Sequence, residues 1–267
     1  MHLARWLALA GLALTAPVAL GAQAGNRPPQ PAETWSLDTL RSGYCIHFLA
    51  DPATVANGIF RGAQPLPASA TEALNPALRR AIQDSPEFAA WIPSQFCSYQ
   101  FAAVRMGDTE LRDRKHGRPQ TLAVWSIASP AEAPRSAVLL VNNSRLSMSV
   151  RWLGIGIDVL RSEFGKVPES SEDRYVIKYD RTTLTWDGHA TGDSTGMAMR
   201  QRSWRVPARN GQLAIVRLRL GPSGSRAMAG SLRIEGKGEL ARMLMASPTR
   251  FVGPLVWGGS GDITFLP

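Results

Sequence analysis

A short segment in the second half of the chain combines a carboxylate and an amine with a tight turn. It covers residues 158–170 and contains Glu163 and Lys166, while Gly165 and Pro168 interrupt any regular element there. Carboxylates and amines can transfer protons or attack carbonyl carbons, so we take Glu163 and Lys166 as candidate catalytic residues. Four apolar residues are spaced to share a helical face: Trp152, Ile155, Val159 and Leu160. Their spacing predicts a short helix or irregular bridge, and the alternative to a site is a connecting helix with a solvated charged end.

The sequence lacks the patterns of metal, cofactor and serine-hydrolase sites. Only two cysteines and four histidines are present, and no histidines stand at a ligand spacing such as H-E-x-x-H. No Rossmann glycine fingerprint, P-loop or G-x-S-x-G motif occurs. We therefore expect neither a metal ion nor a cofactor.

Positive charge exceeds negative charge, since 30 Lys and Arg residues stand against 21 Asp and Glu, for a formal net charge of +9. Some arginines cluster around Trp204 or alternate along a strand-like segment: Arg200, Arg202, Arg205, Arg217 and Arg219. Alternation places Arg217 and Arg219 on the solvent side of a half-buried strand, so we expect no nucleic-acid partner. A basic face could instead attract an anionic envelope surface or steer an anionic ligand toward a cavity.

The N-terminus has the pattern of a secretory signal. Arg5 precedes an apolar run of about 15 residues, shorter than the roughly 20 that span a membrane, and Ala22-Gln23-Ala24 fits a cleavage site. We predict that residues 1–24 are a signal peptide removed after Ala24, that 25–34 are a Pro-rich leader and that 35–267 form a single β-barrel domain. The alternative is an uncleaved membrane anchor. No later stretch is apolar enough to span, so we expect a periplasmic or secreted protein without a transmembrane segment.

Export to an oxidising compartment would favour a disulfide between the two cysteines. Cys45 and Cys97 form an even pair in strand-like segments, and disulfides persist in oxidising compartments. We therefore predict a Cys45–Cys97 disulfide. The alternative is a pair of free, buried thiols.

The elements that would position these residues are mostly strands. Both faces of residues 43–50 are largely apolar, as in a central strand. Three short helices are predicted where a capping residue precedes a proline: Asp51-Pro52, Asn75-Pro76 and Ser85-Pro86. About ten strands follow from residue 95 onward, and Asp187-Gly188 is a two-residue hairpin signal. Strands at this spacing, without helical crossovers, predict an antiparallel barrel or sandwich.

Two stretches of the chain resemble the acetoacetate decarboxylase family. Residues 41–52 resemble its opening strand, which begins Arg-Glu-Tyr and runs into an Asp-led helix start. Residues 163–168 match the family's interval of a glutamate, four intervening residues and a proline followed by two lysines. The resemblance implies an α+β, mainly β fold, with a single antiparallel β-barrel and a few short helices. It also implies that Arg41 helps to bind an anionic group and that Gln100 replaces a carboxylate in the cavity.

The lysine pair of the family is missing from this sequence. In the family, the first lysine after the proline forms a Schiff base with a β-keto acid, and the second lowers the pKa of the first. Glu169 and Ser170 occupy these two positions here, and neither side chain can form an imine. Lys166 could reach the same cavity, although without a neighbouring cation its amine would stay mostly protonated near neutral pH.

These observations lead to one leading function and one alternative. We expect an exported acetoacetate decarboxylase-like barrel that binds a small organic acid or apolar metabolite at Arg41, Gln100 and Glu169, without classical Schiff-base decarboxylation. If the protein is an enzyme, we expect a lyase-type activity of altered chemistry that involves Glu163 and Lys166. The alternative is an exported lipid- or envelope-binding β protein with no catalytic activity.

Overall fold

The computed structural model describes residues 33–72, 74–111, 119–130, 135–143, 147, 155, 157–207 and 213–266. The predicted signal peptide, residues 1–24, and most of the leader lie outside these ranges. Glu33 and Thr34, assigned above to the end of the leader, are the first residues of the first strand.

The described residues are mainly β, with a few short helices, as the sequence predicts. The helices are α1 (Pro52–Asn57), α2 (Pro76–Asp84) and α3 (Glu239–Ala246), with 3-10 turns at Ala68–Ala70 and Pro86–Ala90. The strands are β1 (Glu33–Ala50), β2 (Ile92–Met106), β3 (Thr109–Glu110), β4 (Gln120–Ile127), β5 (Arg135–Val141), β6 (Ile157–Val159), β7 (Arg161–Lys166), β8 (Asp173–Tyr179), β9 (Thr182–Met197), β10 (Arg200–Pro207), β11 (Leu213–Leu220), β12 (Ser223–Gly236), β13 (Arg250–Val252), β14 (Leu255–Trp257) and β15 (Gly261–Leu266). In the part of the chain described here, no helix combines the length and apolar character needed to cross a bilayer.

Seven strands pair in a closed ring. The order is β1–β2–β4–β5–β10–β11–β15 and back to β1, and every pair is antiparallel except β5–β10. Alternate side chains of these strands form one apolar cluster that fills the ring, including Trp35, Phe101, Val124, Trp204 and Phe265. Because strand side chains alternate between faces, the ring interior receives every second residue of each strand.

A second apolar cluster covers the outer face of β1, β2 and β4. It joins Tyr44 and Phe96 from the ring to Tyr175 and Trp186 from β8 and β9, and to Leu244 of α3. The outer strands continue from β1 in the order β14–β12–β9–β8–β7. Strand β2 is buried at nearly every position, and residues 43–50 of β1 are all buried or half-buried, so the prediction of a central strand at residues 43–50 is confirmed.

The predicted hairpin at Asp187-Gly188 is wrong, since both residues lie inside β9. A Cβ at Gly188 would collide with the carbonyl of Ala229 on β12, so the glycine permits close strand packing instead of a turn. The β8–β9 turn is formed by Asp180 and Arg181, whose φ angles are 41° and 55°. Two successive residues with positive φ are the requirement of a type I′ hairpin.

The helical prediction for residues 152–160 is also wrong where the structure describes them. Residues 157–159 form β6, which pairs in parallel with β5, and residues 161–166 form β7, which pairs with β8. Ile157 packs into the ring cluster and Leu160 into the outer cluster, so the chain passes from one layer to the other within three residues. Trp152 lies outside the described residues.

Helix α3, which the sequence analysis did not predict, buries Leu240, Met243 and Leu244 on one face.

The predicted Cys45–Cys97 disulfide is present. The two residues face each other in the β1–β2 register, with Cα atoms 4.0 Å apart and the sulfur atoms bonded. Cys97 is buried in the ring cluster, and Cys45 packs against the same cluster. The bond therefore joins two neighbouring ring strands on the interior side.

Removal of this bond should destabilise the fold. We expect Cys45→Ala/Cys97→Ala to lower the free energy of unfolding by about 4 kcal/mol, because the disulfide closes a 52-residue separation in the unfolded chain. Urea unfolding of the oxidised wild type and of the variant measures the difference. A loss below about 1 kcal/mol would contradict the entropic account.

Candidate ligand-binding site

Arg41 and Gln100 lie on β1 and β2, but they do not share a cavity. The β1–β2 register shifts between Leu40 and Ser42, which places Arg41 at an irregularity where its side chain is exposed. Gln100 is buried, and it lies on the same face of β2 as Phe96, which points toward the outer layer. Its amide is therefore directed away from the ring interior.

The other predicted site residues lie on β7 and the turn that follows it. Glu163 is exposed, and Glu169 is exposed in the turn with a φ of 58°. Lys166 forms an ion pair with Asp173, with 2.5 Å between Nζ and Oδ1, and donates a hydrogen bond to the carbonyl of Ser171 at 3.1 Å. Because β7 is the last strand of the outer layer, these three side chains face solvent and do not meet Arg41 or Gln100.

Two arginines that the sequence analysis placed in a basic surface cluster instead line the ring interior. Arg200 and Arg202 alternate along β10 with Trp204 and Val206, both of which are buried in the ring cluster. Opposite them on β11, Arg200 pairs with Leu220 and Arg202 pairs with Leu218. The period-2 pattern from Arg200 to Val206 was the available signal, and only the closed ring shows that this face is the inner one.

The two guanidinium groups border a small cavity at one end of the ring. Its volume is about 20 Å³, and its walls include Leu40, Tyr99, Leu218, Leu220 and Val256. A volume of this size has room for roughly one water molecule or the head of a small oxyanion. Apolar walls and a polar end are the usual composition of a small-molecule site.

The charges at this end of the ring are not balanced by carboxylates. Among the residues that the structure describes, no ion pair includes Arg200 or Arg202. Of these two arginines, only Arg202 has a polar side-chain contact within the described residues: its Nη1 donates to Oε1 of Gln95 at 3.4 Å. Burial lowers the pKa of Arg200, and the like charge of Arg202 lowers it further, while Tyr99 acts in the opposite direction.

The described lysines do not supply an amine to this cavity. Lys166, Lys178 and Lys237 are all exposed, and none of them lines it. Within the described ranges, no group of three or more His, Cys, Asp and Glu residues is close enough to hold a metal ion. The arrangement can attract and orient an anion, whereas the described residues that line the cavity include no amine for imine chemistry.

Comparisons with known proteins give a likeness in fold. No family model and no curated protein matches the sequence. Acetoacetate decarboxylase from Legionella pneumophila subsp. pneumophila str. Philadelphia 1 is 10% identical, with a TM-score of 0.46 over 89% of this chain and 86% of that chain. An acetoacetate decarboxylase-like enzyme from Sphingomonas wittichii RW1 is 12% identical, with a TM-score of 0.43 over 87% of this chain and 90% of that chain. The chain is similar to these proteins in fold.

Lys166 should not behave as a Schiff-base lysine. Its amine is exposed and already engaged by the carboxylate of Asp173 and the carbonyl of Ser171, and it does not line the ring cavity. Incubation with acetoacetate and borohydride, followed by peptide mass spectrometry, should leave Lys166 unmodified. A reduced adduct on Lys166 in the wild type that is absent from Lys166→Arg would contradict this expectation.

Proposed function

We propose that the protein binds a small organic acid inside the strand ring, with Arg200 and Arg202 holding the carboxylate. The observation that carries this proposal is the presence of two neighbouring guanidinium groups in the ring without a carboxylate partner in the described residues. Two like charges in a partly buried position repel each other and lose hydration, so an anion between them relieves both penalties.

The size and lining of the cavity favour a small ligand. A volume of about 20 Å³ holds the oxyanion itself, and the rest of a larger molecule would extend beyond it. Leu218, Leu220 and Val256 offer apolar contact next to the two charges. A short carboxylic acid with an aliphatic part fits both features.

The proposed role is binding without amine catalysis. Glu169 and Ser170 stand where the resembling family has lysines, and the described lysines are exposed. An activity at this cavity would have to use the charge of the arginines and the hydroxyl of Tyr99 in place of an imine.

A second candidate function is lipid binding, which a larger groove favours. This groove has a volume of about 430 Å³ and lies between β12 and β13, where Trp186, Met228 and Phe251 meet Arg250. It is open to solvent, and Arg250 already donates a hydrogen bond to the carbonyl of Leu244 at 3.0 Å. We favour the ring cavity because its two charges are more enclosed. Lipid found by mass spectrometry in the purified protein would favour the groove.

We also propose that the chain is exported to the periplasm or secreted. The signal pattern of residues 1–24 supports export, and the disulfide is compatible with an oxidising compartment.

Loss of either inner arginine should weaken anion binding. We expect Arg200→Gln and Arg202→Gln each to reduce the affinity for butyrate by at least about tenfold, since each removes a charged hydrogen-bond donor. Isothermal titration with acetate, butyrate and succinate measures the effect. Arg205→Gln is the matched control, because Arg205 is on the same strand but exposed. Equal effects of Arg200→Gln and Arg205→Gln would contradict the proposal.

Export should leave a defined N-terminus. In a bacterial host with a working secretion pathway, we expect the mature protein to begin at Gly25, after cleavage following Ala24. Intact-mass measurement and N-terminal sequencing of the exported fraction test this, and an accumulated full-length chain would contradict it.

A further inference from the structure

Tyr99, which lines the cavity, is packed directly against the backbone of β1. Gly43 faces Tyr99 in the β1–β2 register. A Cβ at Gly43 would lie 2.7 Å from Cδ1 of Tyr99 and 3.0 Å from Cγ2 of Val256, which is too close for any side chain. The absence of a side chain at Gly43 therefore lets the phenol ring lie against β1, between that strand and Val256.

The disulfide lies beside the same phenol. Cys97 is two residues before Tyr99 on β2 and therefore shares its face, and Cys45 is two residues after Gly43 on β1. The Sγ of Cys45 is 3.9 Å from the hydroxyl oxygen of Tyr99, so the bonded sulfur packs against the end of the phenol. This packing limits where the Tyr99 hydroxyl can lie and leaves its proton for another acceptor, while the ring rests on Gly43.

Tyr99 also faces the arginines. It lines the same cavity as Arg200 and Arg202, and negative charge on the phenol would favour the charged form of Arg200. An anion bound between the two guanidinium groups would therefore lie in the cavity that Tyr99 also lines. A hydroxyl that is fixed in place can donate to such an anion without a further entropic cost of ordering.

We propose that Tyr99 is a hydrogen-bond donor of the anion site, and that the Cys45–Cys97 disulfide is the positioning element that holds its hydroxyl. This inference rests on the proposed function, and it assigns to the disulfide a role in ligand affinity beyond stability. The redox state of the disulfide and the affinity for the anion are then coupled through the side chain of Tyr99.

The physical reason is that the S–S bond ties the Cys45 sulfur, which packs against the phenol, to the buried Cys97. Reduction by a dithiol breaks the S–S bond, and each sulfur gains one electron and one proton while the dithiol closes to its own disulfide. Cys97 is only 2% exposed inside the ring cluster, so the sulfur of Cys45 is the one with room to move. The hydroxyl of Tyr99 then loses the fixed neighbour that limits its position.

A cycle of four proteins separates this coupling from general destabilisation. Butyrate affinity is measured by isothermal titration, well below each melting temperature, for the wild type, Tyr99→Phe, Cys45→Ala/Cys97→Ala and the triple variant. We expect Tyr99→Phe to weaken binding by about tenfold, the cost of one hydrogen bond to a charged group. The cysteine variant should weaken binding similarly, and the triple variant should be no weaker than Tyr99→Phe alone. Losses that multiply in the triple variant would overturn the proposal, because a merely structural disulfide would act equally in both backgrounds.

A second measurement uses the intact wild-type chain in case the cysteine variant does not fold. Coupling is reciprocal, so an anion that binds tenfold more tightly to the oxidised protein must make the disulfide harder to reduce. In dithiothreitol buffers of defined composition, saturating butyrate should shift the disulfide midpoint by about 30 mV to more negative potential, the equivalent of tenfold for two electrons. The same shift in Tyr99→Phe, or none in the wild type, would overturn the inference. Wild-type protein that does not bind butyrate at all would instead overturn the proposed function.

Discussion

The pairing of β1 with β2 is the interaction on which the rest of the structure depends. It closes the ring of seven strands, and its two faces supply residues to both apolar clusters. Where the two strands pair along residues 43–50, their side chains are therefore enclosed by apolar neighbours on both faces. Gly43 makes space for Tyr99 there, and the disulfide joins the two strands beside that ring.

Strand β10 places two charged side chains on the inner face of the ring. Most strands of the ring place apolar side chains inward, but β10 begins with Arg200 and Arg202 on the inner face. Burial and the like charge of Arg202 penalise the charge of Arg200, and the described residues provide no carboxylate to offset the penalty. A protein selected only for stability would gain from apolar residues here, which is why we interpret the pair as functional.

Local sequence patterns predicted the elements better than the site. The half-buried strand predicted around Arg217 and Arg219 is confirmed, because these exposed arginines alternate with the buried Val216, Leu218 and Leu220. The disulfide followed from an even cysteine count and a signal pattern. The hairpin prediction at Asp187-Gly188 was wrong because this glycine allows two strands to pack closely. A glycine with that role and a glycine in a turn cannot be told apart from the dipeptide alone. Arg200 and Arg202 were missed because an arginine is ordinarily a surface residue, and only ring closure decides which face of β10 is enclosed. Whether Glu163 and Lys166 line a cavity depends on how distant strands pair, which local sequence does not show. Both residues lie on β7, at the outer end of the sheet.

The central claim is that an organic anion occupies the ring between the two guanidinium groups. The most direct measurement is a crystal structure of the protein with 4-bromobutyrate, whose bromine is located by anomalous scattering. The account predicts a carboxylate within hydrogen-bond distance of Arg200 and Arg202, with the bromine near Leu218 and Leu220. A ligand found only in the groove beside Arg250, with the ring cavity empty at saturating concentration, would contradict it.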